Sequence, residues 1–116
     1  MQKSFDLATM ISIISGKLFT SWENLNSALN FLTGESLYTH QIPRAANVAS
    51  KHILKSYPEL EDIGKDVIIN SDYEREAFVG SLVKIFGNEF ILEPIKEDEY
   101  EHKNPLIEAV EMLSRE

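Results

Sequence analysis

Cysteine is absent from the chain, which removes disulfides, thiolate nucleophiles, iron–sulfur clusters and cysteine-ligated zinc together. A reducing compartment suits such a composition. Long apolar runs are missing as well: no stretch approaches the roughly 20 apolar residues that a membrane span requires. The first residues, Met1-Gln2-Lys3-Ser4-Phe5-Asp6, carry neither the apolar segment nor the small-residue cleavage site of a signal peptide. The expectation is a cytoplasmic protein with no membrane partner. Cations are also scarce. Eleven Lys and Arg stand against nineteen Asp and Glu, a formal charge of -8. This opposes attraction to nucleic-acid phosphates, which depends on cationic side chains releasing counterions, so generic nucleic-acid binding is disfavoured. Motifs of catalysis are lacking: there is no G-x-x-x-x-G-K-[ST] phosphate loop and no G-x-S-x-G nucleophile turn. His40, His52 and His102 stand at no metal-binding spacing. The expectation is a non-enzyme without cofactor or metal.

What is present suits one globular unit. The 116 residues, 43% of them hydrophobic, supply a single contiguous core, and no linker divides them, so residues 1–116 are expected to form one domain. Periodicity predicts a mainly α fold with a minor β part, about five amphipathic helices around one core. Asp6 is a candidate cap for a first helix carrying Leu7, Met10, Ile11, Ile14 and Leu18, broken near Gly16. Thr20 and Glu23 fit a capping box opening a second helix, Trp22 to Thr33, closed by Gly34. Pro43 belongs in the first turn of a third helix that ends before Pro58 and turns Ile42, Ala45, Ala46, Ala49 and Ile53 to the core. Ser71 and Glu74 open a fourth helix closing at Gly87, whose wide apolar face predicts deep burial. Asn104 and Pro105 open a last helix with Leu106, Val110 and Leu113 inward. Phe90-Ile91-Leu92 reads as a strand that Pro94 ends or confines to an edge. A short strand or hairpin is therefore expected near residues 67–69 and 89–93, the partner being Val67 to Ile69 or the same strand of a second copy.

Two regions are candidates for binding. The first is the corner Thr39-His40-Gln41-Ile42-Pro43-Arg44, continued by Lys51 and Lys55 on the side of the third helix away from its apolar face. A helix start offers free amides and the positive end of its dipole, and Arg44 adds a bidentate grip for a carboxylate or phosphate. The same residues equally suit an internal role, with Thr39, His40 and Gln41 satisfying first-turn amides and Arg44 pairing with a neighbouring carboxylate. The second is the acidic run Glu97, Asp98, Glu99 and Glu101, either a solvated loop or a surface that covers a basic face of another protein.

The run Leu29 to Ala46, L-N-F-L-T-G-E-S-L-Y-T-H-Q-I-P-R-A-A, resembles a family of small uncharacterised bacteriophage and prophage proteins with a pattern close to F-[ML]-T-G-x-x-[LV]-[FYW]-T-H-Q-[LI]-P-R. The likeness continues through Ile11 to Leu18, similar to a family I-x-T-G-[RK]-L, and through the strand, acidic loop and helix between Gly87 and Leu113. Lys17 stands where arginine is usual, and Leu60 to Asn70 matches poorly. The resemblance implies a phage-related origin and a bacterial cytoplasm, but no mechanism. Many small phage proteins bind and block a host machine, including CRISPR and other nuclease defences. The first expectation is therefore an accessory protein that binds a host protein, through the acidic run or the corner at His40 and Arg44. A phage assembly component acting by self-association, possible as a homodimer, is the second. A small-anion or nucleotide-binding protein centred on Thr39 to Arg44 is the third.

Overall fold

Local chemistry at the helix ends sets most of the architecture. In the computed structural model, which describes residues 1–114, Asp6 is extended and its carboxylate accepts hydrogen bonds from the Thr9 amide at 2.9 Å and the Thr9 hydroxyl at 2.6 Å. That cap opens helix α1, Leu7–Ser15, which stops where Gly16 turns left-handed at φ 75°. Seven of its residues are buried: Leu7, Thr9, Met10, Ile11, Ser12, Ile13 and Ile14. A helix surrounded on all sides belongs at the centre of a fold. Its one awkward group, the Ser12 hydroxyl, donates to Ala8 O and accepts from the Phe19 amide, both at 2.8 Å. Leu18, expected on the inward stripe, lies beyond the helix end and is largely exposed.

Helix α2, Trp22–Thr33, has the predicted bounds, but its cap is Ser21, which accepts from the Asn24 amide at 3.1 Å, while Thr20 accepts from the Asn24 side chain. Helix α3, Ile42–Ser56, follows a short 3₁₀ turn, Thr39–Gln41, and carries Pro43 in its first turn. Ile42, Ala45, Ala49 and Ile53 are its buried face, with Ala46 half-buried. The alanines let α3 lie close against α1 and α2, with which it makes its main helix contacts.

Strand β1, Lys3–Phe5, pairs antiparallel with β2, Phe90–Leu92, in the register Lys3 to Leu92 and Phe5 to Phe90. This corrects the expected partner: Val67 to Ile69 is irregular chain, tied to α1's end by Lys17 Nζ, which donates to the carbonyls of Lys65 and Val67. The loop before it passes so close to the core that a Cβ on Gly64, at φ 84°, would meet Ile11 at 2.9 Å and Phe19 at 3.2 Å. After β2, the Ile95 amide donates to Leu32 O at 2.8 Å and fastens the chain to α2.

Helix α4, Asp72–Phe86, begins at Ser71, whose hydroxyl accepts from the Glu74 amide at 3.1 Å; the Glu74 carboxylate accepts from the Asn70 amide one residue upstream of the cap. The deep burial expected of α4 is not found. It has no fully buried residue, because it lies against one side of α1 with Phe78, Val79, Leu82, Val83 and Phe86 half-buried, and Ile85 points to solvent. Helix α5, Pro105–Ser114, opens at Asn104, whose side-chain oxygen accepts from the Leu106 amide at 2.9 Å. Its facing is reversed from expectation. Leu106, Val110 and Leu113 are 79%, 61% and 73% exposed, and the buried residue among those described is Glu108, at 4%. The buried side chains form one cluster running from Phe5 to Tyr100. No helix of the described residues is long and apolar enough to cross a membrane.

Candidate functional site

The reversal of α5 is explained by the corner that precedes α3. Gln41 is fully buried. Its side-chain oxygen accepts from the Tyr38 amide at 3.1 Å, and its Nε2 donates to Glu108 Oε1 at 3.3 Å and Lys103 O at 3.4 Å. One turn on, Arg44 donates from Nε to Glu108 Oε2 at 3.0 Å and from Nη2 to Oε1 at 2.9 Å, a two-pronged grip, and from Nη1 to Glu101 O at 2.6 Å. The guanidinium also lies 4.9 Å from the Tyr100 ring centroid. His40 Nε2 sits 2.8 Å from Pro105 O, a contact in which the ring N–H must be the donor. A partly buried cation needs a carboxylate more than an aliphatic residue needs cover, so α5 presents Glu108 inward and its leucines outward.

Electrostatics follow the geometry. The hydrogen bonds from Arg44 hold the Glu108 carboxyl below the ordinary carboxylate range against the opposing effect of burial, with Gln41 helping. The Arg44 guanidinium is correspondingly raised by its bond to Glu108. Burial pushes the Tyr100 phenol up, opposed by the charge of Arg44. Among the described residues the buried Tyr100 hydroxyl meets no hydrogen-bond partner.

Of the sequence-derived candidates, the structure brings His40, Gln41 and Arg44 together on the segment Glu101 to Glu108. Thr39 is exposed beside them, and none of the three residues Thr39, His40 and Gln41 caps α3 through its side chain. The basic side of α3 and the acidic run, distant in sequence, face one another. Lys55 Nζ donates to Glu99 Oε2 at 3.2 Å, and His52 Nε2 donates to Glu93 O at 2.7 Å. Lys51 stands apart and exposed. Glu97 and Asp98, on a 3₁₀ turn spanning Glu97–Glu99, extend into solvent, as does the Glu101 side chain. Glu108 belongs to no motif in the sequence, and neither does the contact of His102 with Glu35 that ties the loop after α2 to the stretch before α5. A carboxylate placed opposite an apolar stripe was the available signal for Glu108. Among the described residues no three His, Asp or Glu side chains converge as metal ligands.

A second feature was not legible as a motif. The C-terminal end of α1, the start of α2 and the N-terminal half of α3 enclose an open groove of about 490 Å³, within the size range of binding clefts. Ile13, Leu18, Trp22, Leu25, Pro43 and Ala46 make it apolar, and among the described residues Lys17 is the only charged one lining it. Trp22, the only tryptophan, is 41% exposed on its lip. A smaller cavity of about 280 Å³ lies between α3 and α5, and shares Pro43 and Asn47 with the groove.

No curated protein and no solved structure matches the chain. A family model does: it covers residues 5–63, the stretch that holds α1, α2, α3, the polar corner and every residue lining the groove. The chain thus belongs to the family described as a domain of unknown function, DUF7736.

Proposed function

We propose that this chain is a phage-encoded accessory protein of the bacterial cytoplasm that acts by binding a host protein, with the groove beside Trp22 as its receiving surface. The observation that carries this reading is the groove itself: a large apolar cleft with an exposed tryptophan on its rim. The phage context rests on the T-H-Q-I-P-R resemblance, and a defence nuclease is the class of target that this context favours. The acidic turn at Glu97 and Asp98 is a secondary contact, since those carboxylates are exposed to solvent and meet a basic rim favourably. By contrast, a small anion at the Thr39 to Arg44 corner would have to displace Glu108 from Arg44, which places that reading lower.

The test is capture from bacterial lysate with tagged protein, in parallel for wild type and Trp22→Glu. The substitution falls in the first turn of α2, where an acidic residue suits the helix dipole, so the fold is kept while the lip loses its apolar surface. The expected result is one stoichiometric host protein retained by wild type after nuclease treatment and reduced at least tenfold by the variant. A captured protein that is indifferent to Trp22→Glu contradicts the groove as the receiving surface. An empty eluate contradicts host binding. A plasmid-clearance assay in cells carrying a defence nuclease then tests the target class.

A self-association reading is favoured by a different observation, the outward apolar face of α5.

A further inference from the structure

We infer that the groove takes helix α5 of a second copy of this chain, so that two copies associate by exchanging α5 ridges. The inference rests on the groove being a receiving surface and goes beyond that reading by giving it an occupant within the protein itself, which a host protein would have to displace. Three observations lead to it. First, α5 carries Leu106, Val110 and Leu113 at i, i+4 and i+7 with Ile107 alongside, all more than half exposed. That is the anchor spacing by which a helix lies in an apolar groove. At 1.5 Å per residue the ten residues make a ridge about 15 Å long. Second, the ridge is fixed from behind by polar contacts, Arg44 to Glu108 and Lys103 to Glu111, so its apolar side stays outward.

Third, charge permits a contact between two copies of a chain with formal charge -8. The two carboxylates of the ridge, Glu108 and Glu111, are turned toward their own body and paired. Among the described residues that line the groove there is no carboxylate, and Lys17 is the one charged side chain. Neither surface brings an unpaired negative charge to the other. Groove and ridge also flank the same stretch of α3, Pro43 to Asn47, which lines both the groove and the cavity beneath α5. Each copy thus offers one convex and one concave apolar surface as neighbours, the arrangement a twofold axis closes into a reciprocal pair. The exchange also answers the question of area. A single short helix buries too little for a standard interface of about 800 Å² per partner, whereas reciprocal docking engages both surfaces on each copy.

The experiment is sedimentation equilibrium of the full chain up to about 1 mM, with Trp22 emission followed over the same concentrations. The expected result is a mass rising to two copies, with the emission moving to shorter wavelength in step. Leu113→Asp on the ridge and Trp22→Glu on the groove lip each weaken association at least tenfold. Circular dichroism verifies that both variants remain folded. Mixing them restores association in part, because the mixed pair contains one intact ridge in one intact groove.

A chain that stays monomeric at about 1 mM overturns the inference, as does a dimer that both substitutions leave unchanged. A dimer lost in Leu113→Asp but neither affected by Trp22→Glu nor recovered on mixing overturns it too, in favour of a direct contact between two α5 helices. The two readings fail separately. A monomer whose capture of a host protein still depends on Trp22 removes the exchange and leaves the groove reading standing. Capture indifferent to Trp22→Glu removes the host reading of the groove whatever the state of association.

Discussion

Helices α1 and α5 are almost equal in length, nine and ten residues, and both carry aliphatic residues at helical spacing, yet they are used in opposite ways. In α1 seven residues are buried and the side chains pack against α2, α3 and α4. In α5 the residue that is buried is an acid, and the aliphatics face out. The difference lies in what was available to meet each helix. Around α1 the neighbouring faces of α2 and α3 are apolar. Where α5 docks, the surface offers Arg44, Gln41 and His40. An apolar stripe shows that a helix has two faces; the polarity of the docking surface decides which of them turns in.

The contrast predicts very different sensitivities, beginning with the largest. Leu29 and Ile53 are fully buried, and truncating either to alanine is expected to cost about 2 to 5 kcal/mol. Leu113→Ala on α5 should stay within about 0.5 kcal/mol. Urea unfolding followed by circular dichroism measures both, and equal costs would break the comparison. Next, Glu108→Ala leaves the Arg44 cation, a quarter exposed, without its carboxylate. The expected loss is about 2 to 4 kcal/mol, discounted from a fully buried pair because water reaches the guanidinium. A loss under about 0.5 kcal/mol would show that α5 is held by something other than the clamp.

Gly64→Ala should cost about 1 to 3 kcal/mol, since the new methyl meets Ile11 and Phe19 in a backbone conformation that alanine resists. The control Gly80→Ala, with open space around its Cβ in the middle of α4, should stabilise by about 0.5 to 1 kcal/mol. Both are read from urea midpoints.

The smallest effect is the dependence on pH. The Glu108 carboxyl is held below its unfolded value of 4.5, so its contribution to stability is fully present above that value and disappears as the pH falls through the lower folded value. Stability measured between pH 7 and pH 3 should decline more steeply in wild type than in Glu108→Gln once the pH is below about 4.5. Parallel curves would assign acid sensitivity to other carboxylates.

Much of this fold could be read along the chain because it is decided locally. Asp6, Ser71 and Asn104 cap helices through bonds to residues two or three positions away, Gly16 and Gly34 end helices with their own backbone, and Pro43 suits only a first turn. The misreadings arise where partners are distant. Lys3–Phe5 is too short to show an alternation, and it becomes a strand because Phe90–Leu92 lies beside it. The orientation of α5 is decided by Arg44, 64 residues before Glu108. The polar corner stood out as a concentration of functional groups, but the partner that those groups grip, Glu108, lies in a stretch read for its leucines. The groove has no sequence signature, since it is the gap left where three helix ends meet at Pro43 and Trp22.

A polar clamp, not apolar packing, holds the C-terminal arm against the half of the chain that carries the family match. Native-state hydrogen exchange of wild type and Glu108→Gln tests it most directly. The variant is expected to lose protection throughout α5 while α1, α2 and α3 keep theirs. A uniform loss across all four helices, or unchanged protection in α5, would contradict it.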